Sequence, residues 1–165
     1  SPVLCKVTIT AAEDTLCKKM EPNVCPTSER LEAVRRLNEA GIFTGILLMP
    51  VLPFLEDTQE NVLAIVKEAH EAGARFIYAA FGMTLRENQR AWYYDKLNKV
   101  FPEEELVEKY RKAYGNRYEC HSPRAKELWK SFGEECEKYG ILYDMKGIIR
   151  AYKRGYEYSQ LSLFD

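Results

Sequence analysis

The chain has no apolar run approaching the ~18 residues that a membrane-crossing helix requires. No signal-peptide pattern opens it. A membrane partner is therefore not expected, and the expected compartment is the cytoplasm. Histidine is scarce: His70 and His121 are the two present. Neither stands at metal-ligand spacing from another histidine or cysteine, apart from the adjacent Cys120-His121 pair, so no zinc site is expected. The five cysteines (Cys5, Cys17, Cys25, Cys120, Cys136) are odd in number and irregularly spaced. That suits a reducing compartment better than a disulfide framework. A glycine-rich phosphate loop, a nucleophile elbow, paired catalytic carboxylates, internal repeats and low-complexity segments are all missing. So is a dominant charge: the formal net charge over 165 residues is −1, which argues against a surface that coats nucleic acid. The balance hides a gradient. Residues 1–82 carry 8 Lys/Arg against 11 Asp/Glu, and residues 83–165 carry 16 against 14. The chain opens Ser1-Pro2, without an initiator methionine, and soon reads as a buried strand. The expectation is the later part of a longer protein.

What is present reads as an α/β pattern. Val3–Thr10 is β-rich and alternates at its end, with Val7 and Ile9 on one face and Thr8 and Thr10 on the other. Ala11–Met20 reads as a short helix and Glu21–Pro26 as a loop. A helix follows, with Thr27 or Ser28 as its N-cap, Leu31, Val34, Leu37 and Ala40 on its apolar stripe, and Gly41 after its end. Gly41–Pro53 is apolar on both faces, as in a strand covered on both sides, and its two prolines mark where it stops. Asp57-Thr58-Gln59-Glu60 resembles a capping box, opening a helix that runs to Gly73. Arg75–Gly82 is a third strand. The order β-α-β-α-β with short connections implies a parallel sheet. Ligands of such sheets sit beyond the carboxyl ends of the strands, so the Met49–Leu55 turn is the first place to look for a site. Both outer strands would be open, apolar edges, and at least one needs a cover. From Leu85 onward helices are expected over Glu87–Val100, Pro102–Tyr114 and Ser122–Tyr139. Ser122 is the expected cap of the last, with Pro123 at its first position. A short strand at Ile141–Tyr143, a helix over Lys146–Tyr152 and a tail complete the pattern.

Several stretches in fixed order carry a resemblance: Lys6-Val-Thr-Ile-Thr, Met20-Glu-Pro, Glu29-Arg-Leu, Glu39-Ala-Gly-Ile and Leu48-Met-Pro-Val-Leu-Pro. Together they resemble radical S-adenosylmethionine proteins of the spore photoproduct lyase-like family, over roughly residues 1–82. The resemblance implies that the three strands are the fourth to sixth of a partial (β/α)6 TIM-type barrel. The division would be residues 1–84 as a half-barrel, 85–157 as a helical extension and 158–165 as a flexible tail. It implies S-adenosylmethionine and a [4Fe–4S] cluster as cofactors of the intact parent, with the missing N-terminal half of the barrel as a partner and DNA as a further one. The family's Cys-x3-Cys-x2-Cys motif is absent from this sequence. This chain would supply S-adenosylmethionine-binding strands but not the cluster, and alone would be inactive.

The resemblance also suggests site residues, each with a plainer alternative. Thr8 and Thr10 would hydrogen-bond S-adenosylmethionine, or simply face a polar interior or solvent. Arg30 would meet the methionine carboxylate in bidentate fashion, or stand exposed in a first helical turn, where the helix dipole disfavours it. Glu21 would take an ammonium or ribose hydroxyl, or cap its loop. Leu48 and Pro50 would wall an adenine, or belong to the core, as would Tyr78. A track of Lys109, Arg111, Lys112, Arg117, Arg124, Lys126 and Lys130, interleaved with Tyr110, Tyr114 and Tyr118, would follow a nucleic-acid backbone, or form solvated helix faces. Finally, Gln160-Leu161-Ser162-Leu163-Phe164 resembles the pentapeptide by which bacterial replication and repair proteins dock on the DNA polymerase sliding clamp. It combines two apolar anchors and a polar clip. The alternative function is therefore a non-catalytic module that docks on the clamp.

Overall fold

The computed structural model describes residues 2–156. Among them are seven helices and one four-stranded sheet. Strands β1 (Cys5–Thr8), β2 (Thr44–Val51) and β3 (Ile77–Thr84) lie side by side in chain order, all parallel. Helix α1 (Asp14–Met20) and helix α2 (Thr27–Glu39) connect β1 to β2, and α3 (Gln59–Glu71) connects β2 to β3. The α/β class expected from the sequence is therefore present, and the sheet is open.

The register explains why β2 is apolar on both faces. Ile46 pairs with Ile77 and Leu48 with Ala79. These side chains are buried in one core with Ile9, with Val34 of α2 and with Val62, Ile65, Val66 and Ala69 of α3. Paired residues share a face. Thr8, Leu47 and Tyr78, which pair across the three strands, therefore lie on the opposite face. That face is only half-covered: Thr8 is exposed, and Leu47 and Tyr78 are partly so. Backbone and ring come very close at one point. A Cβ on Gly45 would stand 2.3 Å from the Phe76 carbonyl oxygen, so only glycine fits there.

The remaining segment differs from expectation in several places. Strand β4 (Glu119–His121) pairs antiparallel with the end of β3, Gly82 opposite His121 and Thr84 opposite Glu119. Ile141–Tyr143 gives a single bridge, Leu142 to Phe76, rather than a strand. The outer edge of β3 is thus covered at both ends, while β1 has β2 as its one partner among the described residues. Helix α4 (Glu87–Val100) matches its expected span, whereas α5 begins at Leu106, not Pro102, and runs to Tyr114. Helix α6 (Ala125–Tyr139) begins past Ser122, with Arg124 at the cap position. The Ser122 hydroxyl oxygen still accepts the Arg124 N–H at 3.0 Å. Likewise neither Thr27 nor Ser28 caps α2. Their hydroxyls donate to the Ala11 carbonyl at 2.6 Å and to the Asp14 carboxylate at 2.6 Å, tying α2 to the preceding segment. Helix α7 (Met145–Lys153) closes the described chain. Leu128, Phe132 and Cys136 of α6 join the sheet's core, so this segment completes the layer over β2 and β3. A second core of Leu85, Tyr94, Leu97, Phe101, Leu106, Val107, Tyr110, Tyr114 and Cys120 packs against Phe54 and Leu55 beyond the strands' carboxyl ends.

Candidate functional site

Beyond β2 the chain turns at Leu52–Asp57 before entering α3. Two acidic side chains fold back into this turn. Glu56 accepts the Leu52 N–H at 2.9 Å through one oxygen and the Thr10 hydroxyl at 2.7 Å through the other. Asp57 accepts the Phe54 N–H at 2.6 Å and the Ser122 hydroxyl at 2.5 Å. Asn61, in the first turn of α3, donates to the carbonyls of Thr10 (2.7 Å) and Glu56 (2.9 Å) and accepts the Ala12 N–H at 2.8 Å. Three chain segments are thus locked together beyond the strand ends. Thr58 caps α3 by accepting the Asn61 N–H, so the capping signal read in the sequence works one residue along from where it was placed.

Glu56 is 2% exposed and Asp57 3% exposed. Neither has an ion-pair partner among the described residues. Burial pushes the Glu56 carboxyl up to about 7. The hydrogen bonds from Leu52 and Thr10 oppose the rise, and the charges of Glu21 and Asp57 add to it. Near neutral pH Glu56 therefore divides between protonated and ionised forms. No motif in the sequence marks Glu56 and Asp57, which the fold buries side by side in the chain with separate sets of donors.

The outer side of the turn is sealed by tyrosines. The Tyr110 hydroxyl donates to the Pro53 carbonyl at 3.0 Å and receives the Tyr93 hydroxyl at 3.0 Å. Burial disfavours the ionised phenolates and pushes the pKa values of Tyr93, Tyr110 and Tyr114 above the usual phenol value. Phe54 has φ +66, a left-handed conformation uncommon for a bulky residue. It is fixed there by Asp57 at its N–H and by edge-on packing against Tyr110, ring centroids 5.4 Å apart.

An open cleft of about 600 Å³ lies along the carboxyl half of β3. Met49, Pro50, Met83 and Trp129 wall it, with Glu119 and His121 at its rim, 3.2 Å apart. Gly82 forms part of its lining, and a Cβ there would meet the Cys120 carbonyl oxygen at 2.7 Å. Neither Glu56 nor Asp57 lines this cleft.

The site residues expected from the sequence fall into separate places. Thr8, Glu21 and Arg30 form one group. The Arg30 guanidinium donates to the Thr8 carbonyl at 3.0 Å, to the Glu21 carboxylate at 2.7 Å and to the Cys25 carbonyl at 2.8 Å. Its side chain is 12% exposed, so it is not a free first-turn arginine. Three of its five donors are engaged, and two remain. Thr10 belongs instead to the Glu56 cluster, and Pro50 to the cleft. Tyr78 is half-buried on the open face. Leu48 is fully buried among the helix-facing side chains, so its side chain walls nothing on the open face. Tyr110 and Tyr114 are buried in the second core and cannot stack on bases, which leaves Tyr118 as the exposed aromatic of that track. His70 stacks on Tyr139 with ring centroids 4.5 Å apart. Gln160, Leu161, Ser162, Leu163 and Phe164 lie outside the described residues.

Among the described residues no group of three His, Cys, Asp or Glu is arranged to hold a metal ion, and no helix is long and apolar enough to cross a membrane. No family model matches the chain, and no solved structure matches it. The chain is similar to an uncharacterized protein of Mycobacterium tuberculosis, 29% identical over 113 residues, covering 68% of this chain and 32% of the relative. An uncharacterized protein of Mycobacterium bovis matches to the same extent. The uncharacterized protein ORF301 of Acidianus two-tailed virus is 28% identical over 133 residues, covering 72% of this chain and 44% of that protein. The chain thus spans less than half the length of these curated relatives.

Proposed function

We propose that the chain is the C-terminal half of a partial (β/α)6 barrel from a cytoplasmic radical S-adenosylmethionine protein, similar to spore photoproduct lyase and acting in DNA repair. The observation that carries this reading is the one-sided sheet. Three parallel strands run in chain order, their helices cover one face, and the other face keeps Thr8, Leu47 and Tyr78 half-open. A barrel interior needs such a face, and the missing N-terminal half would pair with the β1 edge.

The [4Fe–4S] cluster does not fit this chain, which has no Cys-x3-Cys-x2-Cys motif and no metal-holding group among its described residues. S-adenosylmethionine fits better: the Thr8, Glu21 and Arg30 group offers charge and hydrogen bonds for an amino-acid end, and Met49 and Pro50 offer an apolar wall for a ring. Bound in the intact parent, S-adenosylmethionine would supply the adenosyl group for a hydrogen abstraction. This chain's part is to bind and orient. Arg30 fixes the carboxyl end of β1, and the Glu56 and Asp57 turn fixes the carboxyl end of β2. Calorimetry with S-adenosylmethionine on the cluster-loaded parent tests the reading; saturable binding supports it, and no binding refutes it.

A second reading rests on Gln160–Phe164, whose five positions match the clamp-docking pattern. In it the chain is a non-catalytic module that docks on the sliding clamp. Deleting residues 159–165 and measuring binding to purified clamp decides the matter, since unchanged binding removes this role.

A further inference from the structure

Four of the five cysteines are interior or strand residues. Cys120 and Cys136 are buried in the two cores, Cys17 is 3% exposed on α1, and Cys5 is half-buried on β1. Cys25 differs. It stands exposed in the loop that joins α1 to α2, where Pro22, Asn23 and Val24 are exposed as well. An exposed thiol adds nothing to a core, so packing does not account for it. It is nevertheless held against a second cysteine. The Cys17 thiol donates to the Cys25 carbonyl oxygen at 3.9 Å. The same oxygen accepts the Arg30 Nε–H at 2.8 Å. At the start of the loop the Glu21 N–H donates to the Cys17 carbonyl at 2.8 Å. Both ends of the loop therefore meet Cys17.

A disulfide spans roughly 4.4–6.8 Å between Cα atoms. A thiol that already touches the other residue's main chain is near that span. Turning the Cys25 side chain, with a small shift of the exposed loop, completes the approach. The two sulfurs also differ in the way a redox pair requires. Cys25 is open to a dissolved oxidant, while Cys17 is shielded and is met by a group formed beside it. The Arg30 guanidinium, bonded to the Cys25 carbonyl, brings positive charge to the residue whose sulfur must become anionic to react. A metal ion is not the alternative occupant, since no third His, Cys, Asp or Glu is arranged with these two among the described residues.

We propose that Cys17 and Cys25 form an oxidisable thiol pair that a hydroperoxide closes into a disulfide. In the first step the Cys25 sulfur attacks one peroxide oxygen. An S–O bond forms, the O–O bond breaks, and the leaving oxygen departs as water with the thiol proton. In the second step the Cys17 sulfur displaces the hydroxyl of the Cys25 sulfenic acid. The S–S bond forms, and the hydroxyl leaves as a second water with the Cys17 proton. The two thiols lose two electrons and the peroxide gains them. The inference rests on the loop between α1 and α2 and does not depend on the half-barrel reading. The test treats the 165-residue chain with hydrogen peroxide, removes the excess with catalase, blocks the remaining thiols with N-ethylmaleimide in urea and maps tryptic peptides without reduction. Lys18 and Lys19 lie between the two cysteines, so trypsin parts them unless a disulfide joins them. Wild type should lose two of its five blockable thiols and yield the linked peptides, at about tenfold over any link to Cys5. Dithiothreitol should restore both thiols. Cys25→Ser should keep all its thiols at the same peroxide dose, and Cys17→Ser should give no link within the chain. Circular dichroism checks folding; Cys25 is exposed, so the Cys25→Ser comparison decides even where loss of the buried Cys17 unfolds the protein. Oxidation without an internal link, a preferred link of Cys25 to Cys5 or to a second chain, or an equal loss of thiols in Cys25→Ser would overturn the proposal.

Discussion

Replacing Glu56 with glutamine should stabilise the protein, and should do so only above mildly acidic pH. Glu56 is buried without a cation, and its carboxyl is raised from 4.5 to about 7. The folded protein therefore holds the Glu56 proton more tightly than the unfolded chain does. For an acid raised in the folded state, the favourable contribution is full below about 4.5. It is lost as pH climbs through about 7. At ~1.4 kcal/mol per pH unit, the loss between those values approaches about 3 kcal/mol. Glutamine keeps the shape and resembles the protonated form: its oxygen can accept the Leu52 N–H, and its amide can donate to the Thr10 hydroxyl oxygen. Urea unfolding at pH 4.5 and pH 8.5 measures the effect. At the lower pH the variant and wild type should coincide. At the higher pH the variant's midpoint should lie about 1–2 M above wild type, given typical urea slopes for small domains. A variant destabilised equally at both pH values, or a difference that does not change with pH, would refute the reasoning and mean that the charge of Glu56 is compensated.

Other perturbations have distinct signatures. Asp57→Ala leaves the Phe54 N–H and the Ser122 hydroxyl without a partner and should cost about 2–4 kcal/mol in the same unfolding assay. Ser122→Ala should cost less, and the double variant should cost less than the two together, since both act on one hydrogen bond. Gly45→Ala puts a methyl group against the Phe76 backbone and should cost about 2 kcal/mol or more, seen as a lowered melting temperature. Arg30→Lys cannot reproduce the three-way fork to Thr8, Glu21 and Cys25, so hydrogen exchange should quicken across residues 21–25.

Much of the fold was legible in the sequence because its signals are local. Gly41 and Gly73 have positive φ at helix ends, where their positions after apolar stripes foretold them. The apolar character of β2 on both faces marked it as a middle strand, and β1 and β3 do flank it. The parts that were not legible depend on distant partners. Strand β4 is three residues long, too short for a periodic signal, and exists through pairing with β3. Asp57 reads as part of a helix start, yet its second partner, Ser122, lies 65 residues away. Glu56 looks like a solvent-exposed acid after a proline turn, and only the folded chain shows that Thr10 and Leu52 enclose it. Arg30 entered through the resemblance, as a contact for a carboxylate; a cation in a first helical turn is disfavoured by the dipole, and here Glu21 and two backbone carbonyls hold it.

The half-barrel reading stands or falls on the longer protein that it requires. The direct measurement is the reaction of that parent, purified without oxygen, loaded with iron and sulfide, reduced and given S-adenosylmethionine. Formation of 5′-deoxyadenosine, abolished when the upstream cysteines are changed to alanine, is the expected result. A loaded, folded parent that yields none, or a parent whose upstream sequence has no Cys-x3-Cys-x2-Cys motif, would contradict it.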